Sequence, residues 1–224
     1  MLQSVTLYVK DNKELRITKN LLIISILVYA LLVGVSLFLP QGGIVSLLHW
    51  GLVGAFFASN IAGFYRLSKL AQSQILFKNY MLSIVGLAIF LVVVHLAFKL
   101  FLGTWIFEMS VADLQTLLGD TSAHMLFFAL VFVGGMVYFG LSIYWGYKIC
   151  SILSALSGDR IFSNGFNFFA GSVVLMLIAN VVFAFMGQLG SFLSLISLLG
   201  MLMGGLMMVS GFFRLKQITY LIAR

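Results

Sequence analysis

The sequence predicts an all-α polytopic membrane protein: six transmembrane helices arranged as three helical hairpins, with both termini in the cytoplasm. Three observations predict it. The first is composition. The 224-residue chain is 62% hydrophobic and 8% charged, with a mean hydropathy of +1.14, whereas a soluble domain carries about 25% charged residues. A chain so poor in charge cannot cover its surface in water, so lipid is its solvent. The second is a set of six apolar runs, each near the roughly 20 residues needed to cross a hydrocarbon core. The third is where the bases fall. If there are six spans, twelve of the thirteen Lys and Arg residues lie on one side, and Lys99 alone is left near the other. By the positive-inside rule that side is cytoplasmic. An odd number of spans destroys the partition.

Residues 1–20 form a cytoplasmic N-terminal segment with Lys10, Lys13, Arg16 and Lys19 beside Asp11 and Glu14. The apolar run that follows is of full spanning length rather than a short signal core, so no cleaved leader is expected. Span one covers about 21–40 and closes at the turn PQGG, residues 40–43, which holds the only proline. Span two, about 44–65, exits into Arg66, Lys69 and Lys78. Span three, about 81–102, leads into a long outer connection, and span four, about 124–147, exits into Lys148 and Arg160. Between those two bases, Ser157-Gly158-Asp159 is a helix stop with Gly at the left-handed position. Spans five and six, about 166–187 and 191–213, are joined by MGQLG at 186–190, and residues 214–224 are expected to continue as a cytoplasmic helical tail. Spanning segments must satisfy their backbone internally, and none of these runs has the alternation of barrel strands, so all six are helices.

The even spans end in related words: GFYRLSKL at 63–70, WGYKICSI at 145–152 and GFFRLKQI at 211–218. The odd spans open in related words too: RITKN at 16–20, ILFKN at 75–79 and RIFSN at 160–164. Entry and exit recurring together point to three parallel hairpin repeats, a known way to build membrane folds. Aromatic residues and snorkelling bases at helix ends are also general features of membrane proteins. After each exit the helical pattern runs on, through 66–74, 148–157 and 214–223. The even helices are therefore expected to overrun the membrane by two or three turns or to lie along its surface. Such ends suit interfacial anchoring, with cytoplasmic docking or attraction to anionic lipid as alternatives.

Small residues mark the packing faces. Gly51, Ala55, Ser59 and Gly63 recur every four residues in span two, with Gly54, Ala58 and Ala62 in a parallel row. Gly200 and Gly204 do the same in span six. Smooth faces let helix backbones approach closely, so span two is read as the central, most tightly packed helix. Internal packing is favoured over self-association, with a dimer through span six kept open. In the outer connection, Ser110-Val-Ala-Asp113 reads as a capping box for a short amphipathic surface helix through Leu114, Leu117 and Leu118, with Trp105 as interfacial anchor. A lid over a site is the alternative.

Ionisable groups inside a membrane are costly and are candidate sites by default. His95 and Lys99 lie four apart on one face of span three, His49 starts span two beside Trp50, and His124 starts span four. All fall in the outer half, with Glu108, Asp113 and Asp120. Three imidazoles and a carboxylate are a ligand set for zinc or copper, and two facing imidazoles hold haem. No H-E-x-x-H or C-x-x-C spacing supports either, so the expectation is no cofactor, with haem or a transition metal as the alternative. The histidines then sit with a ring nitrogen on a backbone carbonyl or water. Asn180, near the middle of span five, is expected to bond across to a neighbouring helix, or otherwise to touch a substrate. Cys150 reads as a small apolar filler rather than a reactive thiol. The methionines of span six, Met201, Met203, Met207 and Met208, do not share one face and give little support to a copper path.

No G-x-S-x-G or phosphate-binding Gly-Lys motif is present, and no span contains an acid for a proton relay. The best-supported function is therefore non-catalytic: a scaffold or accessory subunit packing beside another membrane protein or itself. The alternatives are a small facilitative transporter or channel, and a haem- or metal-binding redox protein built on the outer histidines. Partners are the lipid bilayer and another membrane protein, not nucleic acid, despite a net charge of +7. The size and the lack of a processing signal suit a bacterial inner membrane, with a eukaryotic endomembrane as the alternative that the topology also fits.

Overall fold

The structure is a computed structural model that describes residues 8–10, 13–38, 43–104, 125–215 and 217–219. In chain order it holds β1 (Tyr8–Lys10), α1 (Lys13–Phe38), α2 (Gly43–Leu70), α3 (Gln74–Leu102), α4 (Met125–Ser157), α5 (Ile161–Phe185), α6 (Gly187–Arg214) and β2 (Gln217–Thr219). All six helices are long and apolar enough to cross a membrane. The chain divides into two compact units, residues 1–78 with 147–224, and residues 79–146.

In the first unit, α1 buries Leu15, Thr18, Leu22 and Ser25. Steps of three and four along a helix keep one seam facing its neighbour. That neighbour is α2, where a Cβ on Gly63 would come within 2.6 Å of the Leu22 side chain. The hydroxyls on this seam bond within their own helix, Thr18 Oγ1 donating to Glu14 O at 2.9 Å and Ser25 Oγ to Leu22 O at 2.7 Å, whereas Asn60 Oδ1 of α2 is buried without a partner among the described residues. The α5–α6 hairpin is built on small residues. Gly190, Ser197, Gly204 and Gly211 recur every seventh residue on α6 and are all buried. Gly190 meets the backbone of Phe183, and Gly200 meets Ser172. Gly211 receives the Phe162 ring, which stacks edge-on against Phe212 at 4.9 Å. At the closest approach Gly204 and Gly165 are reciprocal: a Cβ on either would fall within 3 Å of the other's carbonyl oxygen.

The tightest small-residue packing therefore belongs to α6 against α5, and not to span two as expected. Gly51 and Gly54 of α2 have open space beside them, and only the Gly63 end of that row is closed. The Gly200–Gly204 face is covered by α5, while Gly205 on the same helix has open space beside it.

Most of the buried side chains of this unit gather where the helices carry their bases. They include Leu67 and Ala71 of α2, Leu76 of α3, Leu153 and Leu156 of α4, Phe162 of α5 and Leu215 beyond α6. The exit words share a role here. Gly63 and Gly211 each seat a side chain of the preceding helix, and the fourth residue after the glycine is buried in all three words, as Leu67, Cys150 and Leu215. The registers differ. Leu22 lies two residues after Asn20, whereas Phe162 lies two before Asn164, an offset of four residues, or about one turn.

Helix boundaries depart from expectation in three places. First, α1 starts at Lys13, inside the polar segment, because its inner face from Leu15 onward is already buried. Second, the MGQLG connection shrinks to Met186, whose φ of −139° and ψ of 63° make the turn, while Gly187 opens α6. Third, the helical tail expected over 214–224 does not form among the described residues. Helix α6 ends at Arg214, and 217–219 is a strand paired antiparallel with β1, Val9 opposite Ile218. Ile218 is fully buried, and Lys19 Nζ donates to Phe213 O at 3.0 Å beside the pair. The expected runs past spans two and four are present, with α2 reaching Leu70 and α4 reaching Ser157. The Ser157-Gly158-Asp159 stop is also as expected. Gly158 has φ +69°, and Asp159 Oδ1 accepts from Ile161 N at 3.0 Å to start α5.

In the second unit, the facing stretches of α3 and α4 pack through Ala97, Phe98 and Phe127, with Val94, Leu102, Phe128 and Val131 around them. Phe90 stacks on Tyr138 at 4.8 Å, and the Trp145 ring fills the space beside Gly86. Gly103, at φ +70°, follows the end of α3. Trp105, the Ser110–Asp113 capping box, Glu108, Asp120 and His124 lie outside the described residues.

Candidate functional site

Polar chemistry in the first unit concentrates at the turn from α2 to α3. Helix α2 ends in a Schellman arrangement: Ser73 N donates to Ser68 O at 3.0 Å and Gln72 N to Lys69 O at 3.2 Å. The left-handed position, usually glycine, is Gln72 at φ +48°. A non-glycine residue there costs roughly 1–2 kcal/mol. Ser68 Oγ donates to Ser73 O at 2.7 Å and braces the turn.

Two clefts flank this turn. One, of about 710 Å³, is lined by Tyr65, Ser68, Lys69, Gln72, Gln74, Ile75, Phe77 and Lys78. Its walls are ordered by aromatic contacts: the Tyr65 and Phe77 rings meet edge-on at 5.4 Å, and Lys69 Nζ lies 5.2 Å from the Tyr65 ring centroid. It contains two ammonium groups and two amides, and no carboxylate. Arg66 is turned to another task, 3.7 Å from Glu14 of α1. That pair is exposed and contributes little. The second cleft, of about 510 Å³, shares Gln72, Gln74 and Ile75 and is closed by Ser151, Ala155 and Leu156 of α4. Such volumes lie within the range of small-molecule sites.

The residues singled out from sequence fall elsewhere. His95 Nδ1 lies 2.8 Å from Leu91 O of its own helix, and Lys99 Nζ donates to Gly103 O at 3.1 Å. His49 meets the Trp50 ring edge-on at 6.1 Å. Asn180 is exposed, and its Nδ2 donates to Met176 O at 2.9 Å within α5, with no bond to a neighbouring helix among the described residues. In lipid the carbonyl one turn back is the nearest acceptor, and it wins. Among the described residues no three His, Cys, Asp or Glu side chains come together as a metal site. His124 and the outer acids, which the metal reading also needs, lie outside that set. Cys150 is buried with Met208 Sδ 3.8 Å from its sulfur, as a filler should be.

Sequence reading missed Tyr65, Gln72 and Gln74. The signal was present but faint. Residues 66–78 combine three bases with Gln72, Ser73 and Gln74, and a helix had to end there without glycine or proline. No family model matches the chain, and no curated protein or solved structure matches it either.

Proposed function

We propose that the chain is a non-catalytic integral membrane component that packs beside another membrane protein, with its basic end and both termini in the cytoplasm. One observation carries the reading. The outer half of α2 offers Gly51 and Gly54 with no atom within 4 Å of where a Cβ would stand. On α6, Gly190, Gly200, Gly204 and Gly211 each receive a neighbour, while Gly187 and Gly205 are open. Lipid tails gain little from a smooth helix face, whereas another helix gains close backbone contact. Ser59, His95 and Asn180 each bond to a carbonyl three or four residues back in their own helix, which lends a polar transport path little support, although Asn60 Oδ1 of α2 is buried without a partner among the described residues.

The test is native purification in mild detergent, with mass spectrometry of what stays bound, for the wild-type chain and for Gly51→Ile with Gly54→Ile. The reading expects a stoichiometric membrane protein on the wild type that is lost from the variant, with the thermal midpoint unchanged. A chain that purifies alone, or a partner indifferent to both substitutions, refutes it. Cysteine-labelling of residues 10 and 216 from either side of sealed vesicles checks the orientation.

A further inference from the structure

We propose that the larger cleft at the α2–α3 turn binds the phosphate-bearing headgroup of an anionic phospholipid. The cleft supplies positive charge without compensation. Lys69 and Lys78 line it together, both are exposed, and among the described residues no acidic side chain shares the lining. Gln72 and Gln74 add amide N–H donors suited to phosphate and glycerol oxygens. Lys69 is held against the Tyr65 ring rather than left to wander, so part of its ordering is done before a ligand arrives.

The source of the phosphate is indicated by the rim. Ile75 is 63% exposed and Tyr65 is 46% exposed, and both adjoin the ends of membrane-length helices. A soluble phosphate would leave this apolar rim wet. A lipid covers it with its glycerol backbone and upper acyl chains while the headgroup reaches the lysines. Gln72 fits the same picture. Its left-handed backbone would be relieved by glycine, yet the chain keeps a side chain that lines both clefts. Strain retained beside a cleft is a recognised mark of a functional position.

The experiment is native mass spectrometry of the full chain in mixed micelles containing phosphatidylglycerol or phosphatidylcholine. The proposal expects phosphatidylglycerol to be retained selectively. Lys69→Gln with Lys78→Gln should weaken retention by about tenfold or more, in line with the attraction of individual bases to anionic lipid. Lys69→Arg with Lys78→Arg should preserve it. Removing two charges elsewhere at the same end, by Lys148→Gln with Arg214→Gln, should change it less than about threefold. Gln72→Gly should raise the thermal midpoint and weaken retention together. Equal retention of both lipids, or equal losses from the two charge-removing pairs, overturns the proposal. Displacement of the lipid by millimolar inorganic phosphate overturns the lipid assignment in favour of a soluble phosphate.

Discussion

Adjacent glycines on α6 should behave in opposite ways. A Cβ at Gly204 would stand 2.6 Å from both Gly165 O and Phe169 N, whereas at Gly205 nothing lies within 4 Å. Ordinary contact begins near 3.4 Å, so Gly204→Ala forces the two backbones apart by about 0.8 Å, the difference between those distances. Both obstructing atoms are main chain and cannot rotate aside. A radial gap of that size forfeits about a quarter to a half of each dispersion well along the contact. Overpacking of this kind costs about 1–3 kcal/mol. Gly205→Ala meets no obstacle and trades glycine for a better helix former, a change of zero to about 1 kcal/mol in the stabilising direction. Reversible unfolding in mixed micelles, titrated from dodecyl maltoside into dodecyl sulfate, measures both. Gly204→Ala should lower the midpoint and Gly205→Ala should leave or raise it. Equal midpoints would show that the α5–α6 contact is not made through this glycine pair.

Other outcomes follow from single contacts. Cysteines at Val9 and Ile218, directly opposed in the ladder, should form an intrachain disulfide under mild oxidation, visible as a mobility shift; persistent free thiols would refute the pairing. Ile218→Asp buries a charge at a fully covered position and should lower stability by about 3 kcal/mol or more, read by the same micelle titration. Cys150 should resist maleimide in the folded protein and react fully once unfolded, because Met208 and its buried surroundings exclude the reagent; rapid native labelling would contradict the packing. His95→Ala removes the bond to Leu91 O of its own helix and should lower stability by about 1 kcal/mol, read by the same micelle titration.

The helices were legible because hydropathy over twenty residues is a strong signal in lipid. Their ends were not, because the cue was loss of hydropathy, and these helices continue past it. Lys13–Asn20 is polar enough to read as a loop, yet Leu15 and Thr18 are already fully buried. Glycine misled at 186–190, where it looked like a turn. Gly190 is instead the small residue that lets α6 lie on Phe183. The Gly200–Gly204 pair was visible, but the full row runs through Gly190, Ser197, Gly204 and Gly211, and a seven-residue spacing hides among many small residues. The cleft was harder still. Its lining comes from one helix end, a turn and the next helix start, and nothing in sequence says that Lys69 and Lys78 share a space. The three-residue strands carry no periodicity at all.

The ladder between Tyr8–Lys10 and Gln217–Thr219 also sets an order of events during synthesis. Its two halves are separated by some 200 residues, which a ribosome adds in about 10–40 s at 5–20 residues per second. Throughout that time the first strand is made but has no mate, while the hairpins can enter the bilayer pair by pair. The ladder can therefore close only after every later segment has been made, which leaves the pairing of the two ends as the last long-range contact to form.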